Sequence, residues 1–520
     1  MNSLASSELV TAGWILVTAY AALILFFVVR GALRIRSIAD YALGSVAFSP
    51  VAVGLALAAS MTSAATFIIN PGFVALYGVS GFISMAIALP AAALLSLVVL
   101  TKGFRAMGTA VKAQTMAQWM GAVYKSRGYA IFFAFLSLLL ITFIVLICVG
   151  LTKVLASVLN LNELHVCVGI VVFVFGYMMF GGANSMVYTN MVQAILMVVV
   201  AFILLGSGYE NFSNGIQGFL DKLAAIDPLL VQPTNPASFL FRDYFEIIVC
   251  QIIIGVAIVC QPHIITKSLL LKNEKDVNLY LLVGVLTEAL FFLVVIAGLY
   301  ARLTFPNLQI NGQPIPLDGI MSAYVVSEFT VYIGLLVVLG LISAGLSTLE
   351  GLIQSLSITI TSDILAPAFG PRVEAHSVLI NRLVIVALAI VSVLLTWDQL
   401  LNPNLSVGIF AQNGVYAYFS AAFVPVLFGM FLKRVPLVAP VAASITSVVV
   451  HFAVYYGGLT SYMDAPVRNP GIAAALAIIA SVIVGLALYY TFREPAPVQH
   501  QAPAPAPAKP LIKPAYEKKL

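Results

Sequence analysis

The chain has 520 residues, of which 62% are hydrophobic and 9% charged, with a net charge of +5 and a mean hydropathy of +1.06. Soluble domains carry about 25% charged residues, so this composition cannot cover a water-soluble globule of this size, and it excludes soluble enzymes and soluble binding modules. The solvent that suits it is lipid, where an apolar exterior carries no penalty.

Thirteen runs are apolar enough to cross a bilayer core, which takes about 20 residues in a helix. They are residues 9–29, 48–77, 82–101, 129–157, 165–181, 188–206, 244–265, 278–301, 330–360, 380–397, 407–432, 437–456 and 471–492. Lipid offers no partner to a free backbone N–H or C=O, so the runs must be helices or strands of a closed barrel. Barrel strands alternate over about ten residues, and these runs are too long and too continuous. The pattern predicts an all-α polytopic membrane protein. Residues 1–10 lack the basic stretch and cleavage site of a secretion signal, so the first run reads as a true span.

Orientation follows from Lys and Arg, which concentrate on the cytoplasmic side. With the N-terminus outside, 20 of the 25 fall in inner segments, and only Lys153, Lys222, Arg242, Arg302 and Arg468 fall outside. This predicts a bacterial plasma-membrane protein with a cytoplasmic C-terminus, and its positive charge requires no nucleic-acid partner. The outer loop 207–243 is expected to hold a short surface helix near 216–225. The tail 493–520, with its APAPAPAKP run, reads as an extended, disordered cytoplasmic segment. Cys148, Cys167, Cys250 and Cys260 all lie in apolar runs, which suits buried packing rather than disulfides or a metal site. The lipid bilayer and a small-molecule substrate are the partners expected, with no obligatory protein partner.

Transporter sites form where helices break near the midplane, in corresponding positions of two halves. The centre of the second run reads Ala58-Ala59-Ser60-Met61-Thr62-Ser63-Ala64-Ala65-Thr66, then Asn70-Pro71-Gly72. Small and hydroxylated residues tolerate an unwound stretch whose carbonyls can face a cation. They would equally form a packing face. The seventh run holds Gln251, Gly255, Gln261, Pro262 and His263, and Pro262 frees a carbonyl. His263 is expected at the membrane edge, because Lys267 follows one turn later. In the ninth run, Ala344, Ser347, Thr348 and Gly351 share one helical face that offers two hydroxyls and little bulk. Such oxygens are hard ligands suited to Na+, although hydroxyls on membrane helices also bond back to their own backbone. Glu350 lies beside this face rather than on it. With Glu288 in the eighth run it is an intramembrane carboxylate, a candidate proton or charge site or a partner for a cation.

Together these segments resemble the sodium:solute symporter family. Asp40-Tyr41-Ala42-Leu43-Gly44 is similar to its entry motif, and Ala59 to Gly72 to its first core helix. Gly181-Gly182 with Tyr188-Thr189-Asn190-Met191-Val192-Gln193 resembles its G-G…T-D-x-x-Q loop. Ser347-Thr348 is similar to the S-T pair of its cation helix, and Phe419 to Arg434 to its P-x-L-x-G-x-F-x-K-R segment. The order and spacing hold across some four hundred residues.

The resemblance implies a LeuT-type 5+5 inverted repeat with one helix before and two after. The expected layout is an N-terminal helix and loop (1–47), a first repeat (48–206), the outer loop (207–243), a second repeat (244–434), two C-terminal helices (435–492) and the tail. It also implies a Na+ held by the carbonyls of Ala59, Thr62 and Ala344 and the hydroxyls of Ser347 and Thr348. Two departures stand out: Met61 and Asn190 replace residues that are acidic in family members. One coupling Na+ is therefore expected rather than two.

The stretch from Gln261 to Asn273 is most similar to pantothenate symporters, with Lys267 where they carry Arg. The expected function is Na+-coupled uptake of a small organic anion, such as pantothenate or another monocarboxylate. Half-helix N-termini would help hold it, and Ser60, Thr66, Gln261 and Gln412 are candidate lining residues. Proton coupling through Glu350 or Glu288 is the alternative. A membrane enzyme would need a nucleophile and base in a recognisable context, and a channel would need a filter or symmetric pore. The sequence offers neither.

Overall fold

A computed structural model describes residues 7–33, 35–44, 47–402 and 406–493. The expected tail from residue 494 onward and Arg34 lie outside the described residues.

Ten helices are long and apolar enough to cross a membrane: Val10–Ala32, Val79–Gly108, Arg127–Leu159, Glu163–Gly206, Glu274–Thr304, Val331–Phe369, Ser377–Leu401, Val407–Phe431, Val438–Gly457 and Pro470–Phe492. Two bent pairs, Pro50–Met61 with Ala65–Tyr77 and Phe245–Ile258 with Pro262–Leu270, are broken spans.

Glu163–Gly206 is two spans joined at Gly182, whose φ of 56° and ψ of −166° are not helical. Tyr177 and Thr189 both donate to the carboxylate of Glu350. In a continuous helix those residues would stand about 18 Å apart, so the chain folds back between them. Only glycine adopts this backbone region readily. A Cβ on Gly182 would also lie 2.8 Å from the Tyr41 ring. The described chain therefore crosses thirteen times, as the apolar runs predict: one span, five, five, then two. Helix ends differ from the predicted ones by several residues.

Both breaks follow from local chemistry. Thr62 is extended, and Ser63 Oγ accepts from Ala65 N at 3.0 Å, restarting the helix. Ser and Thr side chains compete with backbone partners in this way. Gln261 is extended because Pro262 follows it, and Pro262 opens the next half-helix. The bends are 54° and 55°, each in the first span of a five-span set.

Two glycines set the register around the first break. A Cβ on Gly54 would lie 2.8 Å from the Tyr280 carbonyl, and one on Gly284 2.9 Å from Leu57. These helices pack backbone to backbone, which places Glu288, one turn beyond Gly284, opposite Thr62. The loop 207–243 carries the expected helix, Gly215–Ile226. Another loop forms a hairpin not anticipated from the sequence, pairing Gln309 with Pro314 across Asn311-Gly312. Both turn residues have positive φ, the signature of an Asn-Gly turn.

Candidate ion and solute site

The first break brings together all five residues of the expected cation set. Ser347 Oγ donates to the Ala59 carbonyl at 2.6 Å and lies 3.1 Å from that of Ala344. Thr348 Oγ1 lies 3.1 Å from the Thr62 carbonyl, 3.2 Å from Ser60, 3.4 Å from Ala344 and 3.5 Å from Ala59. All five residues are fully buried. One hydroxyl proton satisfies one of these carbonyls, so the break presents more acceptors than donors. Buried acceptors in excess are costly, and a small hard cation relieves them. The donor set is wholly oxygen and uncharged, which fits a hard cation such as Na+ and is poor for the softer transition metals.

Glu350 faces away from this cluster into a cage of its own. Its carboxylate accepts from Tyr177 at 2.6 Å, Thr189 at 2.7 Å and Gln193 at 3.2 Å. One orientation of the Asn190 amide satisfies every neighbour: its nitrogen donates to Glu350 and Gln193, and its oxygen accepts from Ser60 and Lys267, the Lys267 contact being 3.0 Å. Asn190 thus bridges the buried side chains of Lys267 and Glu350. Thr189, Asn190 and Gln193 belong to the motif block noted in the sequence, but their common target was not visible there. Tyr177 gave no signal at all.

Glu288 borders the ion cluster. Thr62 Oγ1 donates to its Oε2 at 2.5 Å, while Oε1 has no partner among the described residues.

A small, partly open cavity lies beside the two sites, lined among others by Thr115, His263, Thr266, Lys267, Gly351 and Gln354. It lies on the side of the bilayer that carries Lys112 and Lys272. His263 and Lys267 are each 3% exposed, which corrects the expectation that His263 sits at the membrane edge. The span breaks at 259–261, so Pro262–Leu270 runs inside the bundle instead of leaving it. Of the candidate lining residues, Ser60 Oγ lies within reach of both polar clusters, 3.3 Å from the Ser347 carbonyl and 3.0 Å from the Asn190 oxygen, and its one proton serves one of them at a time. Thr66 is buried on the first turn after the break. Gln261 is buried at the second break, with an unpartnered Oε1. Gln412 is half-buried on Val407–Phe431, and among the described residues no hydrogen bond ties it to the others.

The opposite end of the site is covered. Asp318 accepts from Ser406 Oγ at 2.6 Å and from Val407 N at 3.0 Å, pinning the 317–319 turn over the start of Val407–Phe431. Burial pushes the Asp318 carboxyl above its usual range, against the two hydrogen bonds. This contact was not foreseen, because Asp318 lies in a loop without a motif.

Two five-span sets, each opening on a broken helix, around a buried polar centre define a helical membrane carrier. The chain belongs to the sodium:solute symporter family, whose sequence profile matches residues 41–446, and it is an integral membrane protein. It is 26% identical over 284 residues to the sodium/pantothenate symporter of Haemophilus influenzae and 27% over 282 residues to that of Escherichia coli. These matches cover 53% and 52% of this chain, and 57% and 55% of the relatives, so the chain spans little more than half their length. The monocarboxylic acid transporter of Corynebacterium glutamicum is 22% identical over 85% of both chains. Among solved structures, a Na+-coupled sialic acid symporter in a substrate-bound outward-open state aligns with a TM-score of 0.75 at 18% identity, covering 92% of this chain and 98% of that one. A manganese transporter variant from Eremococcus coleocola aligns at 0.52 with 14% identity, over 88% and 99% of the two chains. Both show a shared fold.

Proposed function

We propose that the protein couples the entry of one Na+ to uptake of a small organic carboxylate by alternating access. The observation that carries this reading is the crowding of carbonyls from Ala59, Ser60, Thr62 and Ala344 around the Thr348 hydroxyl. Na+ would join the break of the second span to the ninth span. The carboxylate class is supported by the buried lysine in the adjoining cavity and by the pantothenate and monocarboxylate carriers among the relatives. The repeat boundaries 48–206 and 244–434, and an N-terminus outside a bacterial plasma membrane, belong to the same reading. In that orientation the cavity faces the cytoplasm.

One charge crossing 100 mV releases about 2.3 kcal/mol, and a tenfold Na+ gradient adds about 1.4. With one Na+ per monoanion the voltage contribution vanishes, leaving about tenfold accumulation per tenfold gradient.

Proton coupling is the second reading, favoured by the unpartnered oxygen of Glu288. Proteoliposome uptake of labelled carboxylates, sugars and amino acids, under a Na+ gradient, a proton gradient or neither, separates the two. Na+-driven carboxylate uptake is expected. Uptake driven by protons alone contradicts the Na+ reading.

A further inference from the structure

The cavity floor holds more hydrogen-bonding capacity than the protein uses. Lys267 Nζ meets the Asn190 oxygen, which leaves an ammonium with three protons two further donors. Both ring nitrogens of His263 lack a partner among the described residues. The two residues stand four positions apart, on one face of the half-helix that begins at Pro262. Gly351 keeps the space beside His263 open: a Cβ there would lie 3.5 Å from His263 Cβ and 3.7 Å from Ser60 Oγ. Lys267 and the unpartnered imidazole of His263 thus line one cavity with hydrogen-bonding groups to spare.

We infer that Lys267 is the residue that binds the substrate's carboxylate, with His263 as a hydrogen-bonding neighbour. The inference rests on the reading above that the substrate is an organic anion. Without substrate, Glu350 balances the Lys267 charge across the Asn190 amide. That balance lets the ammonium stay buried when the cavity is empty. An arriving carboxylate takes the free donors of Lys267 without breaking the bridge. Ser60 ties the two sites together, since its hydroxyl lies 3.0 Å from the Asn190 amide and 3.3 Å from the Ser347 carbonyl. Through Asn190 and Ser60, Lys267 lies three polar contacts from the Ser347 carbonyl of the ion cluster. Geometry also predicts the discrimination: a neutral analogue of the same shape leaves the ammonium unpaired and binds worse.

The test uses the full chain in proteoliposomes, with labelled pantothenate and pyruvate as probes and the neutral alcohol panthenol as competitor. Losing a hydrogen bond to a buried charge corresponds to about a ten- to hundredfold change. Lys267→Met should raise KM for the carboxylate by about that factor and abolish the preference for pantothenate over panthenol. The Na+ concentration for half-maximal uptake should move by less than about twofold, and Lys267→Arg should recover most of the loss. Because Lys267→Met strands Glu350, the double variant Lys267→Met, Glu350→Gln is measured beside it and should show the same loss of preference. If wild type takes up a carboxylate with Na+ and both variants keep its KM and its preference, the Lys267 assignment is overturned while the symport reading stands. If wild type takes up neither carboxylate, the substrate reading and this inference fall together.

Discussion

Thr348 Oγ1 lies 3.1 Å from the main-chain oxygen of Thr62, across 286 positions of sequence. The contact joins the unwound centre of one span to the middle of another that belongs to the opposite five-span set. Under the proposed function, an ion held here would bind the two sets to each other, and its loss would free them to move apart.

Gly182 should tolerate no side chain. Gly182→Ala combines an unfavourable backbone region, costing about 1–3 kcal/mol, with a clash on Tyr41. The purified variant should melt several degrees below wild type in detergent. Gly176→Ala is the control, since nothing lies within 4 Å of the added Cβ, and its melting temperature should not fall.

Glu350 and Lys267 should depend on each other for stability. Glu350→Gln leaves a buried ammonium without its counter-charge, at a cost of about 3 kcal/mol or more. Removing both charges, with Glu350→Gln and Lys267→Met, should recover much of that loss. Melting temperature and membrane yield of the three variants form a double-mutant cycle, and additive losses would argue against the Asn190-bridged pair.

Asp318 should hold the covered end of the site shut. Ile409 is 5% exposed, one turn below the Asp318 contact. A cysteine placed there should resist a membrane-impermeant thiol reagent. Adding Asp318→Ala removes both hydrogen bonds and should speed its labelling severalfold. Equal labelling with and without Asp318 would show that the turn does not close the site.

Transport should be insensitive to membrane potential if one Na+ accompanies one monoanion. Imposing about 100 mV, inside negative, on proteoliposomes would add roughly 2.3 kcal/mol for every net charge moved. Steady-state carboxylate accumulation should stay unchanged. A clear rise would mean a second cation, and a flux ratio of two Na+ per solute would say so directly.

The span count was legible because it rests on short-range chemistry, whereas the expectation that Ala59, Thr62 and Ala344 meet Ser347 and Thr348 came from the family resemblance. Apolar length dictates a span, and Thr62-Ser63 and Gln261-Pro262 dictate their own breaks. The Ser347-Thr348 face follows from helical periodicity. What remained hidden depends on which segments meet. Tyr177, Thr189 and Gln193 come together only because Gly182 folds the chain back. The burial of His263 and Lys267 depends on the half-helix after Pro262 turning inward, whereas a straight helix would have carried them toward the membrane edge. Asp318 reaches Ser406 across 88 positions, a pairing that no local pattern encodes.

The account stands most directly on Na+ binding at the second and ninth spans. Binding of radioactive Na+ to the purified protein should be saturable and approach one ion per chain. In Ser347→Ala, Thr348→Ala the apparent affinity should fall by at least about tenfold, as expected for losing two oxygen ligands, while folded yield stays intact. Wild-type affinity in that double variant, or no saturable Na+ binding by the wild type, would contradict it.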